Sequence, residues 1–124
     1  MSDSPYAIKI ALPLKNWGKC GHSFEANKNY CKSKIFGYEV ALNKLSGIQC
    51  FNSSFNELLQ LYRLCFDILV LAETHNALLT SLYPERKGGT VFEFKFAREK
   101  ACDEFYQELI ESFKSYSLVD VTKS

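Results

Sequence analysis

The sharpest periodicity in the chain lies at 91–96, where Phe92, Phe94 and Phe96 alternate with Val91, Glu93 and Lys95. A period of two puts successive side chains on opposite faces and predicts a half-buried β-strand. Residues 6–12 read the same way, with Tyr6, Ile8, Ile10 and Leu12 set against Ala7, Lys9 and Ala11, and Pro13 closing the run. A third alternation spans 35–42: Phe36, Tyr38, Val40 and Leu42 oppose Ile35, Gly37, Glu39 and Ala41. The turn-rich 43–47 segment then leads to a short strand at 48–51, which predicts a hairpin.

Helical spacing takes over beyond that point. Ser54 and Glu57 have the separation of a capping box, and no Gly or Pro interrupts the chain from Ile48 to Tyr83. Between Leu61 and Ala72 the sequence is apolar almost all round, the mark of a helix buried on most sides. An unbroken helix over 54–83 would be about 45 Å long, too long for a domain of this size, so a bend is expected near Thr74–Asn76, where propensity is poor. The 84–89 segment is a turn. A second amphipathic helix is expected over 98–116, with the stripe Cys102, Phe105, Leu109, Phe113 and Tyr116. Leu118–Val121 would add an edge strand before a frayed tail.

The order of elements predicts an α+β fold. It is expected as a two-layer sandwich, a mostly antiparallel sheet of about four or five strands with two main helices on one face. Residues 1–124 are read as a single domain, with a long irregular loop at 15–33. At 124 residues, 47% hydrophobic and 23% charged, the composition is that of an ordinary globular domain.

Charge changes the picture only locally. The formal net charge is +1, but residues 1–50 carry seven lysines against three acids, while 51–124 carry eight basic side chains against eleven acids. The basic excess gathers in the 15–34 region. Met1–Pro5 has neither a cationic start nor an apolar run, and the longest apolar stretch, Leu64–Ala72, is broken by Asp67. A membrane-crossing helix needs about 20 apolar residues, so a cytoplasmic protein with no membrane segment is expected. Its five cysteines are then read as reduced thiols.

Candidate chemistry is sparse. Cys20, His22 and Cys31, with Cys50 as a fourth, are the residue types zinc prefers, but a single intervening residue between Cys20 and His22 does not match paired zinc ligands. No metal and no cofactor is therefore expected. His75 beside Glu73 offers an acid–base pair at the suspected bend, and Cys102 sits near a helix start, where the dipole lowers a thiol pKa. The more economical reading is a polar turn and a buried, inert thiol. Arg86-Lys87-Gly88-Gly89 runs into a strand rather than a helix N-terminus, so it is a turn and not a phosphate cradle. No nucleotide-binding, hydrolase, kinase or metalloprotease motif is present.

What remains is a binding function. The expected protein is a small non-catalytic module of inhibitor, immunity or adaptor type that occupies the surface of another protein. Its contact residues are expected among Trp17, Lys19, Phe24, Lys28, Tyr30 and Lys32 of the exposed loop, the rings serving as anchors. The alternative is single-stranded nucleic acid held by the same lysines and rings of 15–34. A small enzyme with a cleft near His75 or Cys102 ranks third. A second copy of the chain is a further candidate partner, paired through an edge strand at 48–51 or 117–121.

Overall fold

The computed structural model describes residues 6–18, 20–44, 49–85, 88–113 and 120–123. Within them the chain runs β1 (Tyr6–Leu12), α1 (Phe24–Lys44), α2 (Gln49–Thr74), β2 (Leu78–Pro84), β3 (Thr90–Phe96), α3 (Glu99–Phe113) and β4 (Asp120–Lys123). The strands form an antiparallel sheet in the order β2-β3-β1-β4. The fold is α+β on an antiparallel sheet, as the alternating segments imply.

The two strongest alternations lie side by side. In β1 and β3, Ile8 faces Phe94 and Ile10 faces Phe92 across the ladder, and all four are buried. Phe94 is a meeting point: Phe24 of α1 stacks on it with ring centres 6.1 Å apart, and Phe105 of α3 meets it edge-on at 5.9 Å. Cys102, Phe105 and Leu109, the predicted stripe of the last helix, are buried together. Lys9 and Glu93, of the opposite alternation, approach to 3.9 Å and stay partly in solvent.

Three helices are present among the described residues, not two, because the alternation at 35–42 is helical. The same stretch also satisfies a helical period: Asn27, Cys31, Ile35, Tyr38 and Leu42 fall at spacings of three and four. Cys31 is buried, and Ile35 and Tyr38 pack on the core. Short apolar runs fit both periods, and here packing against α2 decides: Tyr38 lies against Phe55 and Tyr62, and Glu39 pairs with Arg63. The irregular segment between β1 and α1 accordingly ends at Ser23 instead of reaching residue 33. Ser23 caps the helix, its Oγ accepting from the Ala26 amide at 3.1 Å.

The strand expected at 48–51 is not formed either. Residues 49–51 are already in α2, which starts before Ser54; residues 45–48 lie outside the described residues. The break near Thr74–Asn76 is present. Asn76 takes a left-handed φ of 59°, and the Ala77 amide donates to Ala72 O while that of Asn76 donates to Glu73 O. This is the Schellman arrangement, which ends a helix and turns the chain aside. Residues 78–83, expected to continue as helix, are β2, paired with β3 around a bulge at Leu79/Ser81. The last strand is found at Asp120–Lys123; residues 114–119 are outside the described set.

Two glycines separate close packing from open space. A Cβ on buried Gly89 would lie 2.5 Å from the Leu12 carbonyl oxygen, whereas one on Gly37 in the middle of α1 meets nothing within 4 Å. Gly89→Ala is expected to destabilise the protein by about 1–3 kcal/mol. Gly37→Ala is expected to stabilise it by about 0.5–1 kcal/mol. Urea unfolding of the two variants measures both; equal shifts would contradict the packing described.

Candidate functional site

After β1 the chain is pinned at each step. The Leu14 amide turns back to Leu12 O, the Leu14 side chain is buried, and its carbonyl accepts from Thr90 Oγ1 at 2.6 Å. Trp17 follows, half-buried, with Phe92 edge-on at 5.1 Å, Tyr30 at 4.5 Å and Tyr62 stacked at 6.0 Å. Gly18 makes the Tyr30 contact feasible, since a Cβ there would come within 2.7 Å of that ring.

Asn27, fully buried in the first turns of α1, ties this segment down. Its Oδ1 accepts from Trp17 Nε1 at 2.8 Å, and its Nδ2 donates to Ser23 O at 2.7 Å and Gly21 O at 3.2 Å. A buried amide with both ends satisfied is a specific clamp, because losing either side strands a polar group. The segment is therefore a built wall, not a loose loop.

That wall encloses a cleft of about 530 Å³. It is lined by Lys15, Trp17, Cys20 and His22 of the segment after β1, by Leu82, Tyr83 and Pro84 at the end of β2, and by Gly88 and Gly89. No carboxylate among the described residues lines it. Among the described residues, neither Lys15 nor His22 has an ion-pair partner. By contrast, Lys28 pairs with Glu73 at 2.6 Å, Arg63 with Glu39, and Lys123 with Asp103.

The residues expected to contact a partner divide accordingly. Trp17 lines the cleft. Phe24 is spent on Phe94, Lys28 on Glu73, and Lys32 reaches over the Phe66 ring. Tyr30 packs against Trp17 and donates from its hydroxyl to Asn16 O. Lys19 lies outside the described residues.

The candidate zinc ligands are split between surface and interior. Cys20 is partly exposed and His22 is exposed, but Cys31 is buried against α2, its thiol in hydrogen-bonding reach of Cys65. No three His, Cys, Asp or Glu side chains are gathered to hold a metal ion among the described residues.

Burial, then the neighbouring Cys31, pushes the Cys20 thiol up. Burial likewise pushes Cys65 well up, reinforced by Cys31. It also raises Cys102, against a smaller downward pull from Lys123. These thiols are protonated at neutral pH and are not activated nucleophiles.

At the α2 terminus, Glu73 is held by Lys28, so it does not serve His75. His75 Nε2 lies 3.3 Å from Glu108 Oε2, near enough for an ion pair, yet it is misaligned for a hydrogen bond. We take the contact as electrostatic proximity only.

Two features escaped sequence reasoning. Asn27 gave no signal, since a polar residue in a polar stretch looks solvated. The β2 wall was hidden because 78–83 read as helix.

Asn27→Leu is expected to cost about 2–4 kcal/mol, since it strands the indole N–H and the Gly21 carbonyl, while Ser23 O keeps the residue-27 amide. Trp17 is the single tryptophan in the sequence, so its emission should shift to the red in this variant as the wall loosens. Among the four cysteines whose side chains are described, Cys20 is expected to be alkylated first in the native protein. Cys31, Cys65 and Cys102 should react only on unfolding, as read by peptide mass mapping. The chain matches no family model, no curated protein and no solved structure, so what the site does has to be read from its own geometry.

Proposed function

We propose that the protein is a small non-catalytic binding module that occupies the surface of another protein through the β2 edge and the adjoining cleft. The observation that carries this reading is the contrast between the two edges of the sheet. β4, Asp120–Lys123, is short and carries the exposed Lys123 at its end, a usual guard against unwanted pairing. β2, Leu78–Pro84, bears no charged residue and exposes Leu78 at 68% and Tyr83 at 40%. An uncharged edge strand with exposed apolar side chains is a template for an added strand, the mode in which backbone bonds supply affinity and side-chain pockets supply specificity. The raised thiol pKa values and the pairing of Glu73 with Lys28 support a non-catalytic role. The free cysteines suit a reducing compartment, and we place the protein in the cytoplasm. No helix among the described residues is long and apolar enough to cross a membrane.

Single-stranded nucleic acid is the weaker reading. Stacking needs free ring faces, whereas Trp17 and Tyr30 pack on one another and Phe24 is stacked on Phe94.

A photo-crosslinking residue placed at Tyr83 and, separately, at exposed Phe36 of α1 tests this in the protein's own cells. The expected result is one polypeptide adduct from position 83 and none from 36. Adducts from 36 alone would move the contact surface, and the absence of polypeptide adducts at both would end the reading.

A further inference from the structure

The cleft has an electrostatic character that the edge strand lacks. Lys15 stands at its mouth, its stem laid along Gly88 so that an added Cβ there would meet Cε at 3.1 Å. His22 stands on the same wall. Among the described residues neither has a carboxylate partner and no acid lines the cavity. Lys28, Arg63 and Lys123 are matched by Glu73, Glu39 and Asp103, and Lys32 and Lys34 lie over rings; Lys15 differs in lining a cavity. A cation left unmatched beside a concave surface selects its occupant by charge.

The cleft also opens where β2 ends, since Leu82–Pro84 belong to both. A strand laid along β2 therefore arrives at Lys15 with one of its ends. Thr80 Oγ1 is drawn inward to Glu93, and the bulge interrupts the ladder at Leu79/Ser81. Pro84 has no amide to donate. The regular, unguarded stretch is short, so backbone pairing by itself gives little affinity, and a charged contact at its end adds what the pairing lacks.

We propose that the occupant of this edge is an extended, acidic segment of a partner protein, which pairs with β2 and sets a carboxylate in the cleft against Lys15 and His22. The proposal rests on the protein-binding reading above and adds the chemistry of the partner. Trp17 lines the cleft wall beside that carboxylate, so its emission reports occupancy.

The test is selection of random displayed peptides on the full-length reduced protein in low salt, in parallel with its Lys15→Glu and Tyr83→Arg variants. Lys15 is exposed, so its reversal should leave the fold intact; unchanged urea unfolding and Trp17 emission check this. Peptides selected on the unmodified chain should be rich in Asp and Glu alternating with β-branched residues. A synthetic copy should shift Trp17 emission, slow amide exchange at Ser81–Tyr83 and lose affinity as salt rises. Lys15→Glu should weaken that copy roughly tenfold, the size expected when a favourable contact becomes a repulsive one. Selected peptides with no acidic bias, or equal affinity for Lys15→Glu, would overturn the acidic occupant and leave edge docking standing. Peptides that bind Tyr83→Arg unchanged, or no selected peptides at all, would overturn both. Retention of a single-stranded oligonucleotide that Lys15→Glu abolishes would replace the peptide with nucleic acid.

Discussion

One buried amide joins the parts of this molecule that sequence distance keeps apart. Asn27 receives the indole N–H of Trp17 and gives its own protons to Gly21 and Ser23. Trp17 in turn touches Phe92 of the sheet and Tyr62 of α2. The start of α1, the connecting segment, the second helix and the sheet thus share a single junction. Hydrogen bonds of this kind contribute modestly when made and cost much more when broken in a buried site. The cleft wall consequently has one arrangement in place of many, and a binding surface with one arrangement pays less entropy when a partner arrives.

Around that junction the charges are sorted. Lys28, Arg63 and Lys123, on α1, α2 and β4, find acids, while Lys15 stands beside a cleft whose described lining carries no acid. The thiols follow the opposite logic. Cys31, Cys65 and Cys102 are small apolar fillers of the interior. Charge and apolar chemistry therefore converge at the same edge of the sheet, where Leu78 and Tyr83 are exposed.

β1, β3 and α3 were legible because each repeats one period long enough to exclude the other. The helix stop at Thr74–Asn76 was legible from poor propensity, and the left-handed Asn76 supplies the mechanism. α1 was misread because its rings and branched side chains satisfy both periods, and only the face of α2 distinguishes them. β2 was missed because nothing within 78–83 announces a strand without its partner β3. The site followed the same rule. Trp17 stood out as a lone large ring in polar sequence, but Asn27 matters through what it touches. The exposed edge at β2 is a property of strand order, and strand order is set by contacts between distant residues.

The position of β1 has a consequence for how the chain is made. It is the first strand in sequence, yet it lies between β3 and β4, which begin at Thr90 and Asp120. At a synthesis rate of about 5–20 residues per second, Ile8 and Ile10 wait several seconds before any strand can cover them. The helical hairpin of α1 and α2, whose contacts are near in sequence, is complete before the sheet exists. Until β3 is made, β1 has no strand partner, while α1 and α2 can already pack on one another. Lys9, charged in the middle of that strand, acts as a gatekeeper against aggregation until the last third of the chain arrives.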